Sequence, residues 1–156
     1  MDIHHLMELL KQVQGGQMDL EVAVDQLKKL PFENLGYARI DNHRCVRTGV
    51  PEVIYCEGKS VEQTQGIARH LALHHDNILA TRASQEMYEG IREVVEDCQY
   101  HAMARIVVIN PRKVEQAGNI AVVTAGTSDI PVAEEAAVTA ETLGNRVNRI
   151  YDAGVA

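Results

Sequence analysis

No basic run, no apolar run of membrane-spanning length and no CxxC pair occurs in this sequence. Each absence excludes a class. With 15 Lys and Arg against 22 Asp and Glu, a formal net charge of −7, and no clustering of the basic residues, nucleic acid and anionic membrane are poor partners. No basic start, apolar stretch and small-residue cleavage site follow one another at the N-terminus, so the expected location is cytoplasmic. The three cysteines, Cys45, Cys56 and Cys98, are odd in number and widely spaced, which argues against a disulfide framework and against zinc knuckles; reduced thiols are expected. No internal repeat or low-complexity tract is present. Neither GxGxxG nor GxxxxGK[ST] occurs, so dinucleotide-fold and P-loop readings are weak.

The 156 residues suffice for one ordinary domain, or for a small domain and part of another. "IHHLMELLKQVQGG" spaces Ile3, Leu6, Leu9, Leu10 and Val13 as a helix that stops at Gly15 and Gly16. Asp19 is the expected N-cap of a second helix, with Leu20, Val24, Leu27 and Leu30 on one face and Pro31 as its stop. Strands are expected at "YARI" and "EVIYC", separated by an irregular segment. Ser60 and Gln63 stand in capping-box spacing at the start of a helix carrying Val61, Ile67 and Leu71. "NILATR" reads as a short buried strand, "SQEMYEGIREVVEDC" as a helix with Met87, Ile91 and Val94 aligned, and "AMARIVVIN" as a strand. Together these predict an α/β first domain over residues 1–110 and a linker at 111–117.

Residues 118–156 then read as a strand, "NIAVVTAG", buried on both faces; a helix with Pro131 in its first turn and Gly144 past its end; and a second strand. A lone βαβ unit has two open sheet edges and a face without a helix. The missing strands are expected from a longer chain, a partner copy or the first domain, and the chain is expected to be a fragment.

The corner between that strand and helix, Gly126-Thr127-Ser128-Asp129, lies where parallel α/β sheets bind ligands, outside a strand's carboxyl end and at a helix N-terminus. Unpaired N–H groups and the helix dipole favour an anion there, and the Thr127 and Ser128 hydroxyls add donors. A carboxylate at Asp129 suits ribose hydroxyls, helix capping or proton transfer. Simple capping and ligand binding both remain open on the pattern alone.

"AGTSDIPVAEEAAVTAETLGNRVNRIYDAGVA" strongly resembles the opening βαβ of the aminoimidazole-ribonucleotide carboxylase-like domain. It is closer still to the superfamily's nickel-pincer cofactor biosynthesis branch, the pyridinium-3,5-biscarboxylic acid mononucleotide synthases, which "RTGVPEVIYCEGKSVEQ" and "ILATR" also resemble. The resemblance covers roughly residues 30–156. It implies a small mixed α/β N-terminal domain followed by the first βαβ of a flavodoxin-like three-layer α/β/α domain. The implied reaction is carboxylation of the pyridinium ring of nicotinic acid adenine dinucleotide with release of AMP. Carbon dioxide or bicarbonate is the implied co-substrate, without a covalently bound cofactor; assistance by magnesium stays open. Gly126, Thr127, Ser128 and Asp129 would line the pocket, with Asp129 handling the proton, whereas Glu134 and Glu135 would be helix surface or contacts between copies. The family's cysteine nucleophile lies in a portion beyond "DAGVA", and none of Cys45, Cys56 and Cys98 matches it. The chain by itself is therefore expected to be inactive, and the longer parent to form a symmetric octamer. The rivals are an aminoimidazole-ribonucleotide carboxylase or mutase and a non-catalytic regulatory or assembly module.

Three further groups carry both a chemical and a bland reading. Cys45, between Arg44 and Arg47, is a conceivable thiolate or an ordinary loop cysteine. Arg47, Glu57 and Lys59, beside the helix start at Ser60, suit a phosphate or adenylate group or plain surface ion pairing, and Thr81 and Arg82 could join them. His70 and His74 share a helix face at a spacing that could hold a metal, but Leu71 follows His70, so HExxH fails.

Overall fold

The computed structural model describes residues 3–28, 33–41, 44, 48–50 and 52–154. Cys45 and Arg47 lie outside the described residues, as do Leu30 and Pro31.

Two short helices open the chain, α1 (Ile3–Gln14) and α2 (Leu20–Lys28). The α1 stop is made by Gly16 at φ +67°, a left-handed conformation that glycine adopts without strain. The Asp19 carboxylate accepts from the Glu21 N–H at 3.2 Å, the expected N-cap. The expected apolar face of α2 is buried only in part: Leu27 is half-buried, and Leu30 lies outside the described residues. Ala23 and Leu9 are buried, whereas Leu20 is 65% exposed and Val24 is exposed as well.

Strands β1 (Glu33–Asn34) and β2 (Arg39–Ile40) form an antiparallel pair, and Ile40 enters the main core. The central sheet has the order β3-β4-β6-β5, built from β3 (Ile54–Tyr55), β4 (Ile78–Thr81), β5 (Cys98–His101) and β6 (Ile106–Ile109). Helix α3 (Val61–Ala72) connects the parallel strands β3 and β4, and α4 (Gln85–Val94) leads from β4 to β5. Strand β6 runs antiparallel to both of its neighbours.

Both predicted helix starts carry their caps. The Ser60 hydroxyl accepts from the Gln63 N–H at 3.2 Å, and the Gln63 side chain accepts from the Ser60 N–H at 3.1 Å, a complete capping box. Ser84 caps α4 by accepting from the Met87 N–H.

Residues of β6 alternate between two cores, as the period-2 geometry of a strand requires. Val107 and Ile109 join Ile54, Cys56, Ile67, Leu71, Ile78 and Ile91 under α3 and α4. Ile106 and Val108 join Leu79, Ala104 and Val138 on the opposite face.

The segment expected to finish α4 does something else. The helix stops at Val94 and Val95 is already extended. Residues 98–101 then pair with β6 across a turn that places Arg105 at φ +53°. Strand pairing and the stacking of Tyr100 on Tyr88, ring centroids 5.1 Å apart, override the helical run.

Residues 111–117 form no regular element, though Arg112 pairs with Asp97 and Asp76. Strands β7 (Gly118–Val123) and β8 (Asn145–Ile150) then form a separate, parallel two-stranded sheet joined by α5 (Ile130–Thr142). Gly144 ends α5 at φ +86°, and a Cβ there would lie 2.8 Å from Val114 Cγ1, so this position needs glycine on two counts.

Helix α5 buries Ala133, Ala137 and Val138. It packs against β7 and β8 on one side and against β4 and β6 on the other. The first sheet therefore covers α5 but lends no strand to β7–β8. Strand β7, expected to be buried on both faces, is largely exposed, with Val123 59% accessible. One helix covers only one face of a two-stranded sheet. No described helix is long and apolar enough to cross a membrane.

Candidate functional site

The corner is a single 3₁₀ turn, Thr127–Asp129, between the end of β7 and the start of α5. Gly126 precedes it in extended conformation, φ −136° and ψ 161°, and a Cβ there would meet nothing within 4 Å. The approach to its backbone is open. The turn closes through the Asp129 N–H to the Gly126 carbonyl at 3.2 Å and through the Ile130 N–H to the Thr127 carbonyl.

The N–H groups of Thr127 and Ser128 have no partner among the described residues. Neither Gly126 nor Asp129 supplies a side-chain cap. Asp129 is thus the N-cap by position without making the capping bond, and its carboxylate is exposed beside the Thr127 and Ser128 hydroxyls. A positive helix end with two open N–H donors and two hydroxyls suits an anionic ligand. A carboxylate in the same turn repels a second anion, so it suits the neutral, hydroxyl-bearing part of a ligand or a proton to be moved.

The loop after β8 is tied to Thr124, two residues before the corner. Ala153 donates its N–H to the Thr124 carbonyl at 3.0 Å, and Asp152 stands at φ +56°. Tyr151 donates its hydroxyl to Glu134 at 2.8 Å. Arg149 donates to Glu134 at 3.1 Å and to both oxygens of Glu141 at 2.5 and 2.8 Å. The hydrogen bond from Arg149 holds the Glu141 carboxyl below its ordinary value, and burial together with Glu134 pushes the Tyr151 hydroxyl up.

Glu135, the neighbour of Glu134, turns the other way and accepts from Arg82 Nε at 3.1 Å. Glu134 and Glu135, expected as helix surface or as contacts between copies, tie α5 to β8 and to the end of β4 within the chain.

Lys59 donates to the Tyr55 carbonyl at 2.5 Å within its own loop. Among the described residues no hydrogen bond or ion pair joins it to the corner. Tyr55 donates to Glu57, and that bond raises its pKa. Arg82 lies within electrostatic reach of Tyr55 and Glu57 and bonds to Glu135 of α5. The rings of His70 and His74 meet edge to face at 5.8 Å between centroids. Among the described residues no three His, Cys, Asp or Glu side chains come together to hold a metal ion. Cys56 is fully buried and its thiol is pushed up to about 11 by burial; burial also raises Cys98. Neither is an activated nucleophile.

A groove of about 540 Å³ runs along the flank of α5, lined by Val132, Ala136, Ala140 and Leu143 with Ile120 of β7, and headed by the Arg82–Glu135 pair. The corner residues are not part of it.

Residues 32–112 match the model of the LarB/PurE-like N-terminal domain. An uncharacterized protein of Methanocaldococcus jannaschii is 32% identical over 162 residues, a match covering 97% of this chain and 62% of that protein. The match thus extends beyond the family segment toward the corner, while this chain spans less than two thirds of the curated relative. With just over half of its residues inside the family segment, the chain belongs to the LarB/PurE-like family.

Proposed function

We propose that the Gly126–Asp129 corner is the ribose-phosphate end of a nucleotide site, in a protein that carboxylates the pyridinium ring of nicotinic acid adenine dinucleotide and releases AMP. The observation that carries this reading is the pair of N–H groups at Thr127 and Ser128, without partners among the described residues, in the 3₁₀ turn that leads into a helix of 13 residues beside a carboxylate that makes no capping bond. Family membership supports a carboxylase-type reaction, with carbon dioxide or bicarbonate as co-substrate.

The N–H groups and hydroxyls of Thr127 and Ser128 take the phosphate, and Gly126 lets it approach the backbone. Asp129 takes a ribose hydroxyl or the ring proton that the entering carboxyl group replaces. Hydrolysis of the phosphoanhydride by water then frees AMP. Burial keeps Cys56 as an unreactive thiol, so a thiolate step would need a cysteine from outside the described residues. On this reading the chain binds nucleotide without turnover, and a symmetric homo-oligomer of the longer protein completes the pocket.

The test is to incubate nicotinic acid adenine dinucleotide and bicarbonate with this chain and with the longer protein, following AMP and carboxylated mononucleotide by mass spectrometry. Both products from the longer protein, lost in Asp129→Asn, are expected. Turnover of aminoimidazole ribonucleotide instead, with none of the dinucleotide, would move the assignment to purine chemistry.

A further inference from the structure

Arg82 is an unusual residue to find at a strand end. Its backbone stands at φ +56°, a region that residues other than Gly, Asn and Asp seldom occupy. The surroundings impose it. The Thr81 carbonyl accepts from the Cys56 N–H at 2.9 Å, the Ala83 N–H donates to the Arg105 carbonyl at 2.8 Å, and Ala83 is fully buried. Arg105, itself at φ +53°, donates Nη2 to the Arg82 carbonyl at 3.3 Å. Neighbours that hold this backbone set the direction in which the Arg82 side chain leaves the strand end, and its guanidinium bonds at one place.

That place is Glu135, 53 residues along the chain. Glu135 lies six positions after Asp129, about 9 Å along the helix axis at 1.5 Å per residue. Beyond it, Val138 of α5 joins Leu79, Ile106 and Val108 of the first sheet. Among the described residues, Arg82–Glu135 is the ion pair joining α5 to that sheet, while Glu134 is held from the other side by Arg149 and Tyr151. Adjacent carboxylates thus tie the N-terminal turns of α5 to both sheets.

We infer that Arg82 is a positioning residue for the corner: its bridge to Glu135 fixes the first turns of α5, and with them the open donors at Thr127 and Ser128, against the end of β4. The inference rests on the nucleotide reading only for its consequence in binding. Its structural part stands apart.

The experiment compares Arg82→Gln, Glu135→Gln and the charge-exchanged pair Arg82→Glu with Glu135→Arg, by residue-resolved amide hydrogen exchange without ligand. Each single variant is expected to exchange about three- to five-fold faster at Asp129 and through the first two turns of α5. Amides of β4 and β6 should stay within about two-fold of the parent, and the exchanged pair should return the corner to its parent rate. Unchanged corner exchange, acceleration spread evenly over the whole chain, or no recovery in the exchanged pair would overturn the inference. Nicotinic acid adenine dinucleotide then serves as the binding probe, and its affinity should fall in the same proportion as corner protection. Affinity lost with corner exchange unchanged would make Arg82 a direct ligand contact instead. A parent chain that binds no dinucleotide would count against the proposed function, and the exchange data would decide the bridge without it.

Discussion

The packing of α5 against the first sheet can be tested with two valines on that one helix. Val138 is 3% exposed and sits among Leu79, Ile106 and Val108, whereas Val132 is 63% exposed. Val→Ala at either site gains the same small increment of helix propensity, up to about 0.7 kcal/mol, so the difference between the variants isolates burial. Removing two methyl groups from a buried site costs about 1.6 kcal/mol in transfer terms, and the space left behind adds to that. Val138→Ala should therefore be about 2 kcal/mol less stable than Val132→Ala, a difference of roughly 4–8 °C in Tm for a chain of this size. Urea unfolding followed by circular dichroism and by tyrosine fluorescence measures it. Equal stabilities, or two separate transitions of which only the later chain segment responds to Val138→Ala, would refute the shared core.

Ser60→Ala removes one half of a complete capping box and should cost about 1 kcal/mol, read as a lower urea midpoint with an unchanged slope. Glu141 is held below its ordinary 4.5 by Arg149; a depressed carboxyl contributes stability that is present above that value and lost as pH falls through the folded value. Glu141→Gln should accordingly be less stable at pH 7 by about 1 kcal/mol or less, given its partial exposure, and the deficit should close below pH 4.5. With its thiol at about 11 and no exposed surface, Cys56 should resist Ellman's reagent at pH 8 in the folded chain and react fully in denaturant. Reaction in the folded state at the rate of a free thiol would contradict the buried placement.

Features that depend on neighbours in sequence were legible before the structure. Asp19 and the Ser60–Gln63 box announce their helices because capping is a contact within a few residues, and Gly144 marks the end of α5 for the same reason. The corner was legible too, as a strand, a small-residue turn and a proline-started helix. Pairing across distance was not. Residues 98–101 follow a strongly helical run and become a strand only because β6 and Tyr88 are there to receive them. The apolar run of β7 reads as doubly buried, yet burial depends on how many layers cover it, and here one helix does. Glu134 and Glu135 look like the solvated face of a helix, and only the fold shows one gripping Arg149 and Tyr151 and the other reaching Arg82.

The most direct measurement is a titration of ¹⁵N-labelled chain with nicotinic acid adenine dinucleotide, following the amide resonances of Gly126, Thr127, Ser128 and Asp129. If the corner holds the ribose-phosphate, the two open amides of Thr127 and Ser128 shift most and saturably, and Asp129→Ala weakens the response. Saturable shifts confined to other parts of the chain, or none at all up to millimolar dinucleotide, would contradict a nucleotide site at this turn.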